Sequence, residues 1–397
     1  MGFVLCDERY SFHLLNYATY SGCEKTRCEL MEFFSFRSFL EITMRVSMAP
    51  MVLGFVLFVS WVISARKGGD HKLLTFLSKA TMSLTGVSFL LGCSAMALRY
   101  VEVQHWPAQT MYEVIPLGVC AAYLSTIALY YVLGLNKRRG VARAFGDLFV
   151  ALIMTGGVFT LQYVLSLDPT GKALPPALQS YWFSTHITAY MIGYFTLIIA
   201  ALAAWLHLCF QFWLQVIRGT ESRRVIKVGV PALALLAAPF GSMALMMGFG
   251  VFAISGAVSA YSLRGNREMI WYQSWERESD NFTWSIFVVG FPFLTSGLIQ
   301  GALWAQEAWA NYWGWDSKEV SALISWFFYV IYLHLRMVAG WRGEKAMMLL
   351  CAGALSIFIT FQLFGYLPDS QKSLHRYTDM ESLPSESMMR PVGEDAN

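Results

Sequence analysis

Apolar residues along this chain fall into long runs separated by short polar stretches. Runs near 20 residues cover Met48–Ala65, Leu73–Leu98, Val114–Leu135, Ala144–Leu167, His186–Leu214, Phe282–Leu303, Val320–Met337 and Ala346–Tyr366. Each is long enough to cross the hydrocarbon core of a bilayer as a helix. The pattern predicts an all-α polytopic membrane protein with about eight transmembrane helices.

Charge placement orients them. Lys and Arg favour the cytoplasmic side of short loops. Arg66, Lys67 and Lys72 mark one such loop, and Lys137, Arg138, Arg139 and Arg143 a second. Arg218, Arg223, Arg224 and Lys227 mark a third, and Arg336, Arg342 and Lys345 a fourth. Every second loop is then inside, and both termini are outside. Residues Val228–Leu263 are apolar yet flanked by basic residues on both sides. An even number of crossings satisfies this, so a short re-entrant helical hairpin broken near Pro239–Gly241 is expected there. The external segments become Arg99–Glu113, Asp168–Thr185, the stretch after Leu303 and the tail after Leu367.

Composition agrees. Hydrophobic residues are 56% and charged residues 14% of the chain, too apolar for a soluble fold. A net charge of +3 without a basic block gives no footing for nucleic acid. The seven Cys lack zinc or Cys-x-x-Cys spacing, and Cys93, Cys120, Cys209 and Cys351 read as small core residues. Residues 1–47 are mixed in polarity and lack the layout of a secretory signal, so they read as an N-terminal extension. With Met44 and Met48 just before the first run, a mis-assigned start is one account of it. Residues 48–366 form the membrane domain, and 367–397 an external tail.

The segment 304–319 carries the chemistry. It holds Trp304, Trp309, Trp313 and Trp315, four Trp in 16 residues, where the chain average gives roughly 0.6. Interfacial belts also use Trp, but belts are diffuse and rarely interleave Asp316, Lys318 and Glu319. Flat aromatic surface with carboxylates and an ammonium suits a large, flat, partly charged ligand. On the same external face lie His186, at the start of the fifth run, and His375, in the tail. Two such imidazoles can supply axial nitrogens to an iron porphyrin. His334 lies 15 residues past Glu319, about 22 Å down a helix, where an ionisable group is functional by default. His207 reads as an interfacial residue. His13 and His71 are loop residues with no companions, and His105, in an external loop, could hydrogen-bond a ligand.

These residues resemble a known family. Trp-Ala-x-x-Ala-Trp-x-x-Tyr-Trp-x-Trp-Asp-x-Lys-Glu, followed by Ile331-Tyr332-Leu333-His334-Leu335-Arg336, looks like the tryptophan-rich signature of heme-handling proteins. More narrowly it is similar to the CcsA/ResC family of system II cytochrome c maturation. Three further pieces agree: Arg99…His105-Trp-Pro107…Tyr112-Glu113, Leu174-Pro-Pro176…Tyr181-Trp182…His186, and Gly290-Phe-Pro292…Gly301-Ala302…Trp304. Ala310 stands where Gly is usual, Ser317 where Pro is, and Val320-Ser321 where Thr-Trp is. The 228–263 stretch is also longer than the usual loop.

The resemblance implies a membrane subunit of a cytochrome c synthase that exports heme b and attaches it to the Cys-x-x-Cys-His segment of apocytochrome c. It implies that His186 and His375 are the external axial ligands and the catalytic pair, with His334 a transmembrane ligand. Trp304, Trp309, Trp313 and Trp315 would pack the macrocycle, Lys318 would neutralise a propionate, and Asp316 with Glu319 would orient that Lys or cap the next helix. A CcsB/ResB partner would supply the other transmembrane His, thiol-reducing proteins would act on the external face, and the membrane would be the bacterial inner membrane rather than a plastid thylakoid. A heme chaperone of the CcmC type, delivering heme without attaching it, shares the Trp-rich loop but has about six spans and no counterpart of His334. A solute transporter with merely interfacial Trp would bind no heme.

Overall fold

The computed structural model describes residues 34–67, 72–132, 134–137, 141–171, 176–218, parts of 252–260 and 268–362. Eight long helices account for most of them: α1 Phe36–Lys67, α2 Lys72–Val103, α3 Met111–Val132, α4 Val141–Val164, α5 Tyr181–Ile217, α6 Glu268–Trp309, α7 Ser317–Met337 and α8 Glu344–Gln362. Among the described residues seven of these, α1 to α7, are long and apolar enough to cross a membrane. The chain is a polytopic, all-α membrane protein. His375 and most of the 228–263 stretch lie outside the described residues. The parts of 252–260 that are described are helical and pack on the end of α5, where Trp213 Nε1 donates to Phe252 O at 2.8 Å.

Helices begin earlier than the apolar runs, for a physical reason. The expected boundary at residue 48 falls inside α1. Phe36, Leu40, Thr43, Met44 and Ser47 form a buried stripe with helical spacing. The opposite face carries Arg37, Glu41 and Arg45, paired at 3.8 and 3.4 Å. An averaged hydropathy reads such a turn as polar, although one side is core. Likewise α6 starts at Glu268, not Phe282, and its apolar part spans Ser279–Trp309.

Two groups of helices pack side by side. In the first, α1 lies against α2 and α4, and α3 joins α2 to α4; in the second, α5 lies against α6 and α8, and α7 against α8. The α3–α5 contact links them. Each group is tied by a buried charge. In the first, Arg143 on α4 donates to Ser78 Oγ at 2.8 Å, to Tyr130 OH at 2.6 Å and to the carbonyl of Leu135 at 3.0 Å. Asp147 accepts from Ser78 Oγ at 2.5 Å and from Trp61 Nε1 at 3.0 Å, so all four helices share one network. In the second, Arg336 on α7 makes a two-pronged bond with Asp280 on α6 at 2.9 and 2.8 Å, its guanidinium 4.7 Å from the Trp284 ring centroid. Arg143 and Arg336, read from sequence as loop charges, are therefore interior residues.

The loop 104–110, which carries His105 and Trp106, is fixed by a third pair. Glu113, 1% exposed, takes Arg99 at 3.0 Å and the backbone N–H groups of Gln109 and Thr110 at 3.0 and 3.3 Å. Cys120, Cys209 and Cys351 are buried as expected, whereas Cys93 sits on the outside of α2. His207, expected at the membrane interface, is instead an interior residue. It is fully buried, with Gln211 Nε2 3.3 Å from its Nε2.

Candidate functional site

The start of α5 sets the position of His186. Pro176–Leu178 forms a tight 3-10 turn, then Ser180 caps α5, its Oγ accepting from Trp182 N at 3.1 Å. The same hydroxyl donates to Glu307 on α6 at 2.6 Å, and Ala177 O accepts from Trp304 Nε1 at 2.8 Å. The turn before α5 is thus stitched to the end of α6. Because α5 starts at Tyr181, His186 lies more than a turn inside the helix instead of opening it.

Its ring is closely held. Nδ1 is 2.8 Å from Gly297 O. A carbonyl only accepts, so Nδ1 carries a proton, and in the neutral form of the ring Nε2 is the basic nitrogen. Trp304 flanks the ring at 5.7 Å and 31°, and Tyr190 meets it edge-on at 4.7 Å. Trp304 is 2% exposed and touches Phe183 at 5.2 Å and Trp309 at 5.0 Å. A groove of about 360 Å³ opens alongside, lined by Trp106, Thr188, Ile192, Phe293, Ser296 and Gln300 among others.

The Trp-rich segment divides in two. Trp304 and Trp309 belong to the last turns of α6, and Lys318 and Glu319 to the first turn of α7, so the loop proper is 310–316 rather than 304–319. At its tip Trp313 and Trp315 meet edge-on at 6.0 Å, and Trp315 is 71% exposed. Asp316 caps α7 through a capping box: its carboxylate accepts from Lys318 N at 3.3 Å, and Glu319 accepts from Asp316 N at 3.2 Å and Gly314 N at 2.9 Å. This geometry fits the capping role for Asp316 and Glu319.

Ala310 and Trp315 both have positive φ, 55° and 56°. A side chain there costs about 1–2 kcal/mol, which Gly avoids. Ala310→Gly, restoring the residue usual in the family that the segment resembles, is expected to raise stability by roughly 1 kcal/mol. Thermal unfolding in detergent checks this; an unchanged or lower midpoint counts against strain at 310.

His334 lies on the outer side of α7. It belongs to an exposed stripe with Ile324, Phe327, Ile331 and Val338, while Ser321, Ser325, Tyr329, Tyr332 and Arg336 face inward. The structure therefore brings His186, Trp304 and Trp309 together, places Trp313 and Trp315 at the tip, and sets His334 apart on another surface. Sequence reading missed Tyr190, Gly297 and the Ser180–Glu307 bond. The one signal for them was the four-residue spacing of Gly297 and Gly301.

Comparison with known proteins bears on the family of the chain. Residues 46–368 match the family described as cytochrome C assembly protein. A protein of Marchantia polymorpha named cytochrome c biogenesis protein CcsA is 28% identical over 82% of this chain and 94% of its own. Namesakes from Cyanophora paradoxa and Gloeobacter violaceus are 29% and 30% identical, over 82% and 77% of this chain and 93% and 86% of theirs. With the family match covering both helix groups and the whole Trp-rich segment, the chain belongs to the cytochrome C assembly protein family.

Proposed function

We propose that this protein is the membrane subunit of a cytochrome c synthase, with heme b as the substrate it carries and presents. The observation that supports this most is the seat of His186. An imidazole whose Nδ1–H is donated to a backbone carbonyl has Nε2 as its basic nitrogen, the arrangement in which an outer partner orients a metal-binding His. It stands against Trp304, in the segment where Trp309, Trp313 and Trp315 supply further flat apolar surface for a macrocycle.

In this reading the Trp-rich end faces outward from a bacterial cytoplasmic membrane. His186 and His375 hold the iron there, a bis-His set that limits access of oxygen. Lys318 balances a propionate, and Asp316 keeps α7 and Lys318 in register. His334, on its exposed stripe, faces a CcsB/ResB-like partner that supplies a second His within the bilayer, since an ionisable group there needs a polar companion. The apocytochrome's two thiols are kept reduced by external thiol-reducing proteins. Each S–H then adds across a vinyl C=C, sulfur to one carbon and hydrogen to the other, with no net oxidation. This chain contributes proximity and orientation to that step.

The test is co-expression with the partner and a Cys-x-x-Cys-His reporter in a host lacking other maturation systems. Covalent heme on the reporter in denaturing gels is expected. Heme bound by the membrane protein with none on the reporter would reduce the role to delivery.

A further inference from the structure

The α5–α6 contact has a strict antiparallel register. His186 faces Gly301, Tyr190 faces Gly297, Gly193 faces Leu294 and Leu197 faces Gly290. Each step forward along α5 is matched by an equal step back along α6. Small residues let two membrane helices approach closely, and Gly193 shows how closely: a Cβ there would lie 2.7 Å from Leu294 N. Two of the glycines on α6 face rings. A Cβ on Gly301 would lie 2.7 Å from His186 Cε1 and 2.9 Å from its Nδ1. One on Gly297 would lie 2.9 Å from Tyr190 Cδ2.

We infer that Gly301 and Gly297 are positioning residues for the heme-binding histidine: Gly301 is the flat seat that sets the plane of the His186 ring, and Gly297 O fixes its tautomer. The inference rests on the reading of His186 as an iron ligand. Three constraints then act on one imidazole, namely Gly301 beneath it, the Gly297 carbonyl at Nδ1 and the edge-on Tyr190 ring. A two-torsion side chain would otherwise lose rotamer freedom on binding iron, and the seat removes that loss in advance. Because a His ring can swing, Gly301→Ala displaces the imidazole rather than blocking helix association. Nδ1 then leaves the carbonyl.

The experiment uses the full chain purified with its co-expressed partner and compares Gly301→Ala with Gly290→Ala. Position 290 is also tight, a Cβ there lying 3.0 Å from Leu197 Cγ and 3.1 Å from Thr196 Cβ, but its near neighbours include no His. Gly301→Ala is expected to convert most of the low-spin heme that depends on His186 to high spin, or to lose it, while Gly290→Ala keeps the wild-type spectrum. A wild-type spectrum in Gly301→Ala overturns the seat, and so does an equal change in both variants, which would mean helix packing alone. If Gly301→Ala fails to accumulate, His186→Gly/Gly301→Ala decides. Removing the ring removes the clash, so recovery of the double variant to the His186→Gly level supports the seat and non-recovery overturns it. Full low-spin heme in His186→Ala would instead overturn the ligand reading itself.

Discussion

Asp280→Ala is expected to destabilise the protein by about 3–5 kcal/mol, the cost of leaving a buried charge without its partner. Arg336 and Asp280 side chains are 2% and 9% exposed, and the pair joins α6 to α7. Asp280 Oδ1 also accepts the Gly343 N–H at 2.9 Å, so the same carboxylate holds the turn into α8. A loss of that size is a large share of the roughly 5–15 kcal/mol that separates folded from unfolded domains. Most of the protein should therefore disappear from the monodisperse peak after mild heating in detergent. Arg342 lies 3.8 Å from the same carboxylate but is two-thirds exposed. Its loss should cost under about 1 kcal/mol. Asp280→Ala/Arg336→Met removes both charges and should recover much of the loss. Equal thermal midpoints for Asp280→Ala and wild type would show that the pair does not hold α6 to α7.

The same residue shows what hydropathy can and cannot reveal. The helices were legible because each contains a bilayer-length apolar run. Their starts were not, since the first turns of α1 and α6 are amphipathic or polar while still helical. Nor was the burial of Arg143 and Arg336: a basic residue just past an apolar run looks like a loop charge until a carboxylate or a set of carbonyls is found facing it. The orientation of α7 was hidden for a different reason. Its inward face, with Ser321, Ser325, Tyr329, Tyr332 and Arg336, is more polar than its outward face. In a bilayer the solvent outside is itself apolar, so a polar stripe marks the protein interior. The histidine placed on the outer stripe then becomes the exception to explain. At the Trp-rich end the residue types were readable but their division was not. Trp304 serves as a buried wall beside His186, while Trp315 projects from a left-handed backbone at the tip.

Separating the two histidine surfaces gives the other large effect. His186→Ala and His334→Ala are each expected to remove about half of the bound heme from the protein purified with its partner, and the double variant nearly all. The two residues share no contact and lie toward opposite ends of their helices, so their effects should add. Cytochrome formation should fall by at least about 100-fold in either single variant. Loss of a residue that merely orients a ligand already costs about 10–100-fold, and in the proposed assignment these changes remove ligands outright. Stability distinguishes this from general damage. His334 is exposed among Ile324, Phe327, Ile331 and Val338, so His334→Leu extends an apolar stripe and should leave the isolated chain at least as stable as wild type. A His334→Leu protein that is stable, assembles with its partner and has lost its share of heme separates ligation from folding. Full cytochrome production by that variant would sink the transmembrane role of His334 and leave heme passing from the bilayer to His186 by another route.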